Sequence, residues 1–481
     1  MKILKNISWH LFSNVFPFLS AIYFLPKIIL LYGRDEFAVI SLAWAALYFF
    51  VMVDGGLGRS LTYFLAIRKN NYLENQSKFF FNALVGSIFF SLVFIIFIVL
   101  FGDYFIKFLN LSQSLYLQAS EGLFFFIFLI PLIVLCSLFK GVLEAQHMFK
   151  ETSIIRMIDG FGLFFFPYFF AIYKEPTLYF AFLSFLFLRV TIFTIYLIIL
   201  YKNKLVSIKY IKFDKKVFNK LISFGGWVSV SSFIQPLMIL VEKTIAIKLI
   251  SAFYFVFFAA PFEVLSKFNS IATSVSVVLF PNLINHNKSL IKQKELCSFG
   301  FTLIILIIFP ILLLINFFSN KIIEYWLGIE FLKYSADIVI ILASGILINS
   351  LASIPYILLQ SKGRADLTAK YHIFQILPVI FLYWLLADKY GVIGIAYAWA
   401  IKVFIDYLLQ MMGSFIYFNQ FRTFLLNELF FHFLMLIILF SFLFSNNKFI
   451  DGVLLLLGFL FYSLVIYRGL KNKNIFYNTF K

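Results

Sequence analysis

The sequence predicts an all-α polytopic membrane protein with about fourteen transmembrane helices. Three observations predict it. Hydrophobic residues are 63% of the 481 residues and charged residues 13%, against about 45–50% and about 25% in a soluble domain. Mean hydropathy is +0.97. Apolar runs of about 20 residues, the length a helix needs to cross a bilayer, recur along the chain. They are continuous rather than alternating, which excludes a closed β-barrel. The composition also excludes a soluble enzyme, a disordered chain and a nucleic-acid binder.

The first run covers 9–31 and contains internal prolines. It is too long for a signal-peptide core and no small-residue cleavage site follows, so it reads as a retained span. Five more runs follow at 37–56, 79–101, 121–143, 154–173 and 177–200. A basic connector occupies 201–220. Beyond it lie runs at 220–241, 251–281, 298–318, 336–359, 369–387 and 391–412, and a final pair at 424–445 and 449–467.

The net charge of +18 reads as topology, because cytoplasmic loops collect Lys and Arg. With both termini placed in the cytoplasm, the inner segments hold 27 Lys and Arg. The outer segments hold nine: Arg34, Lys107, Lys174, Lys243, Lys248, Lys321, Lys333, Lys389 and Lys448. A miscount by one span would scramble this asymmetry. Cys136 and Cys297 sit in no CxxC or Cys/His array, so neither a disulfide framework nor a metal site is expected. No cofactor is implied.

The connector divides the chain into an N-terminal six-helix lobe (1–200), a basic cytoplasmic linker (201–220), a second six-helix lobe (221–412) and two additional helices with a cytoplasmic tail (413–481). The linker pattern from Val206 to Lys220 suits a helix lying on the anionic inner leaflet, or a plain topogenic loop. Spans one and seven share a faint likeness, SNVFP at Ser13–Pro17 and SFIQP at Ser232–Pro236, each a few residues after a tryptophan, Trp9 and Trp227. Transporters often carry such duplication.

Two blocks carry a family resemblance. Leu30 to Ala66 contains Leu31-Tyr32-Gly33 with Phe37, then Asp54-Gly55-Gly56-Leu57-Gly58-Arg59. Phe224 to Leu283 contains Pro261, Glu263, Lys267 and Leu279-Phe280-Pro281. These resemble the signatures of the bacterial O-antigen and polysaccharide flippases (Wzx-type) of the multidrug/oligosaccharidyl-lipid/polysaccharide exporter superfamily. The resemblance implies two six-helix bundles around a central cavity that opens alternately to either side of the inner membrane. It implies a short sugar repeat on undecaprenyl diphosphate as substrate, with a polysaccharide polymerase and a chain-length regulator as partners. It implies no bond-making chemistry.

Ionisable residues at membrane depth are costly and mark function. Arg189, Lys267 and Lys402 fall near the middle of spans six, eight and twelve, and Lys27 toward the outer end of span one. Such cations can pair with diphosphate oxygens, Arg as a fork and Lys as a point charge. Each has a plainer reading. Glu263 can pair with Lys267, and Lys402 with Asp406, one turn along a helix. Lys27 can snorkel to the headgroups. Arg189 has no carboxylate three or four residues away. Asp54 and Arg59 flank a Gly-rich turn that is either a helix C-cap or a cytoplasmic gate. Asp159 either caps a helix or binds a coupling cation. His372 and His432 read as packed core residues. Prolines inside the spans could hinge them, though membrane helices tolerate proline anyway.

The rival readings are a lipid II flippase, a drug/cation antiporter and a membrane polysaccharide polymerase. A drug antiporter would want an acidic cavity. A polymerase would want a long outer loop rich in Arg and His, whereas the longest expected outer loops are 102–120 and 319–335 with few cations. No carboxylate pair or triad supports catalysis.

Overall fold

The structure, a computed structural model, describes residues 2–51, 54–66, 72–146, 148–206, 213–286, 289–445 and 447–471. Among these residues there are fifteen α-helices and no strand. In hydrocarbon every backbone N–H and C=O must find its partner within the segment, and the helix alone does this for a single span.

The helices are α1 (Lys2–Tyr32), α2 (Arg34–Phe50), α3 (Leu57–Ala66), α4 (Tyr72–Phe108), α5 (Gln113–Ala145), α6 (Phe149–Tyr173), α7 (Leu178–Lys202), α8 (Lys215–Leu265), α9 (Asn269–Asn285), α10 (Leu290–Phe317), α11 (Ser319–Leu327), α12 (Ile329–Ser361), α13 (Ala365–Tyr417), α14 (Arg422–Ser441) and α15 (Lys448–Lys471). Eleven apolar stretches among the described residues are long enough to cross a bilayer. Two of them are double. The stretch over α8 and α9 breaks at Ser251 (φ 70, ψ 160) and α13 breaks at Gly391 (φ 58, ψ −133). With the 17-residue α2, the expected fourteen spans are accounted for.

The differences from expectation are local. Span two ends before Gly56: α2 stops at Phe50, and after a turn at 54–56 the chain resumes as a separate helix, α3, so Arg59 lies on a helix and not in a loop. Span seven does not end at residue 241. The helix continues past Glu242, Lys243 and Lys248 to Ser251, so Lys243 is not a loop residue. Much of the two expected outer loops is helical as well. α4 runs to Phe108 and α5 starts at Gln113, while α11 occupies Ser319–Leu327. The interfacial helix expected over Val206–Lys220 falls partly on residues outside the described set, and Lys215–Lys220 begin α8.

The helices sort into two compact units, Met1–Val256 and Phe257–Lys481. In the first, α5 packs on α2, α3, α4 and α7, and α1 packs on α6. Leu57, Leu61, Leu138, Val142, Leu188 and Ile192 form its core around the α3–α5 crossing. That crossing is close because both partners are glycine. A Cβ on Gly141 would stand 2.4 Å from the Gly58 carbonyl oxygen. Small residues at helix contacts allow such approach in membranes. In the second unit α12 is the core helix: 89% of its apolar window is buried, against 11% for α15.

Candidate functional site

In the first unit an ion pair joins α6 and α7. Arg189 of α7 reaches across to Asp159 of α6. Its Nη1 lies 3.0 Å from Asp159 Oδ1 and donates to Oδ2 at 3.1 Å. The Arg189 side chain is 11% exposed, and its Nε is buried with no hydrogen-bond acceptor. A guanidinium has five donors in a fixed fork, so the ion pair leaves part of that fork unspent. The carboxylate partner comes from 30 residues away, beyond any search at helical spacing.

Asp54 lies at the turn between α2 and α3 and is 5% exposed. Its Oδ1 accepts from the Gly56 N–H at 2.8 Å. Its Oδ2 accepts from the Gly58 N–H at 3.0 Å and from the Ser137 hydroxyl at 2.9 Å. The carboxylate therefore caps the start of α3, where backbone donors have no intrahelical partner. Gly55 and Gly56 adopt φ 63 and φ 69, the left-handed region that glycine enters without cost from a Cβ. The turn is thus the N-cap of the next helix rather than a C-cap alone. Arg59 follows on the exposed side of α3.

Lys27 of α1 stands over two rings, 3.6 Å from the Tyr23 centroid and 5.3 Å from that of Tyr168 on α6. The sequence missed a further cation in this unit. Lys243 of α8 is 5% exposed, and its Nζ donates to the Ser41 carbonyl and hydroxyl of α2, both at 3.0 Å. The apolar residues on both sides of Glu242-Lys243 were the available signal that the helix continues.

In the second unit Glu263 is buried near the end of α8. Lys267 sits in the 3₁₀ turn Ser266–Phe268 that interrupts span eight before α9, and such mid-helix turns often mark hinges. Both residues engage neighbours. Lys402 and Asp406 lie on the second arm of α13. Asp406 Oδ1 accepts from Gln375 Nε2 at 3.0 Å and lies 3.4 Å from His372 Nδ1, both on the first arm. His372 is therefore set against a carboxylate. The Gly391 break folds the two arms together, so residues 34 apart meet. His432 fits the packed reading: it is fully buried and shares a 2.7 Å hydrogen bond with Tyr407.

Apolar helices long enough to cross a bilayer, with ionisable side chains inside several of them, define a polytopic membrane protein. No family model matches the chain. A Shigella flexneri protein described, provisionally, as an O-antigen transporter is 29% identical over 409 residues, covering 85% of this chain and 97% of its own length. Among solved structures, the lipid II flippase MurJ in an inward closed conformation superposes with a TM-score of 0.70 at 17% identity, covering 98% of this chain and 99% of its own. An inward-facing multidrug resistance MATE family transporter of the MOP superfamily gives 0.67 at 12% identity, covering 86% and 96%. The sequence resemblance to the O-antigen transporters is borne out, and the fold is the MurJ/MATE-like polytopic transporter fold.

Proposed function

We propose that the protein is a flippase carrying an undecaprenyl-diphosphate-linked oligosaccharide repeat unit from the cytoplasmic to the periplasmic leaflet of the bacterial inner membrane. It does so by alternating access between a lobe of spans one to six and a lobe of spans seven to twelve, with both termini cytoplasmic. The product feeds O-antigen or capsular polysaccharide synthesis, and a polymerase and a chain-length regulator act downstream.

The observation that carries this reading is Arg189. A buried guanidinium in a span, with its Nε lacking an acceptor, suits a phosphate oxygen that arrives with the substrate. Lys267, Lys402 and Lys27 supply further positive charge for a diphosphate that would otherwise cross hydrocarbon unpaired. The turn at Asp54 and Arg59 serves as the cytoplasmic gate. Asp159 and Asp406, with Glu263, are the carboxylates available for coupling to an ion gradient.

The test is a double variant, Arg189→Ala with Asp159→Ala, which removes the cation without stranding its carboxylate. Export is expected to stop while the chain stays in the membrane at its normal level. Normal surface polysaccharide in that strain would overturn the assignment.

A further inference from the structure

The seam between α1 and α6 carries a feature that the cation reading does not use. Leu19, Tyr23, Lys27 and Leu30 are spaced four, four and three residues apart, so they share one face of α1. That face is open, with Tyr23 58% exposed. Alongside it, α6 presents a ladder of rings. Phe161 stacks on Phe165 at 5.1 Å, Phe165 meets Phe169 at 5.7 Å, and Phe169 meets Tyr173 at 4.6 Å. Phe24 joins the two helices, 5.6 Å from Phe165 and 5.1 Å from Tyr168. From Phe161 to Tyr173 the ladder is about 18 Å long at 1.5 Å per residue.

Lys27 decides between lipid and a polar ligand for this face. It lies six residues before the turn at Gly33, so a lysine snorkelling to headgroups would extend toward that turn. Its ammonium instead sits over Tyr23, one turn closer to the middle of the span, with the Tyr168 ring 5.3 Å away. A cation held toward mid-span on an open face needs polar company. Acyl chains could cover the rings, but they would leave the ammonium with two tyrosines and, among the described residues, no anion beside it.

We infer that the α1–α6 ring ladder binds the sugar portion of the translocated molecule, with Lys27, beside Tyr168, holding a phosphate oxygen partway along it. The ring faces carry partial negative charge and accept the C–H face of a pyranose, a weak contact repeated along the ladder. The phenol groups of Tyr23, Tyr168 and Tyr173 offer hydrogen bonds to sugar hydroxyls. A glycosyl phosphate is the ligand that uses rings, hydroxyls and ammonium together. This inference rests on the flippase reading and adds to it a place for the glycan.

Leucine and phenylalanine are nearly equivalent toward lipid, so substitution separates the occupants. Tyr23→Leu and Phe169→Leu are compared with Tyr23→Phe for surface polysaccharide, lipid-linked intermediates and protein level, beside a deletion strain. The leucine variants are expected to lose export at least tenfold, with intermediates accumulating, while Tyr23→Phe keeps more than half. Leucine variants that export normally would overturn the inference and make the face a lipid contact. A deletion strain without accumulated intermediates would instead overturn the flippase reading.

A second measurement covers the case of a variant that does not fold. p-Benzoylphenylalanine placed at position 23 of the full chain is photo-crosslinked in cells grown with radioactive phosphate. Capture of a labelled lipid whose glycan is cleaved by periodate supports the inference. Capture of phospholipid alone overturns it.

Discussion

Arg189 and Asp159 meet through a single guanidinium nitrogen, Nη1, which lies within about 3 Å of both carboxylate oxygens. The contact neutralises two charges at membrane depth without consuming the arginine fork. Removing one partner of such a pair is costly because the other charge is left uncompensated. Arg189→Ala alone is therefore expected to be less stable than the Arg189→Ala, Asp159→Ala double variant. The difference should be about 1–3 kcal/mol, reduced from the fully buried range because Asp159 is a third exposed. Thermal unfolding of the two proteins in the same detergent measures it. Equal stability would show that the pair is not an energetic unit.

The glycine crossing of α3 and α5 gives a sharper contrast. Gly141→Ala would bring a methyl group against the Gly58 carbonyl, and backbone cannot yield as a flexible side chain does. A loss of about 1–3 kcal/mol is expected for such overpacking. Gly452→Ala on α15 meets nothing within 4 Å. It should be neutral or gain up to about 1 kcal/mol from helix propensity. Comparison of the two unfolding temperatures against the parent checks both.

Asp54→Ala removes one acceptor group from two backbone donors and the Ser137 hydroxyl. Losing a cap costs about 0.5–2 kcal/mol, and buried donors left unpaired add to it. A destabilisation of about 2 kcal/mol is expected, with Asp54→Asn roughly half as severe because the amide keeps one acceptor oxygen. Amide exchange at Gly56 and Gly58 should rise with the loss.

Asp214 lies outside the spans, just before α8. Lys78 at 2.6 Å and the N–H groups of Lys216 and Val217 hold its carboxyl below the usual carboxylate range. The folded state thus resists protonation more than the unfolded one. Its contribution is present above about pH 4 and is lost as pH falls through the depressed folded value. Exchange at Lys216 and Val217, corrected for intrinsic rate, should be flat from pH 7 to about pH 5 and rise below about pH 4. Asp214→Asn should show the raised exchange at every pH.

The spans were legible because bilayer thickness writes itself into the length of each apolar run. Interruptions were less so. Gly55-Gly56 reads as a helix end, and only the three donors on Asp54 explain why helix resumes at Leu57. Glu242 and Lys243 read as a loop because two adjacent charges suggest water. They remain helical because Lys243 finds Ser41 on α2. Site pairs failed for a related reason. Spacing rules see three or four residues along one helix, whereas Asp159 meets Arg189 from the neighbouring helix and His372 meets Asp406 across the Gly391 break.

The most direct test of the flippase reading is deletion of the gene in its own host, with surface polysaccharide and lipid-linked intermediates analysed together. Complete repeat units should accumulate on undecaprenyl diphosphate inside the cell while surface polymer vanishes. Single, unpolymerised units appearing at the cell surface would show that translocation is intact, and would contradict it.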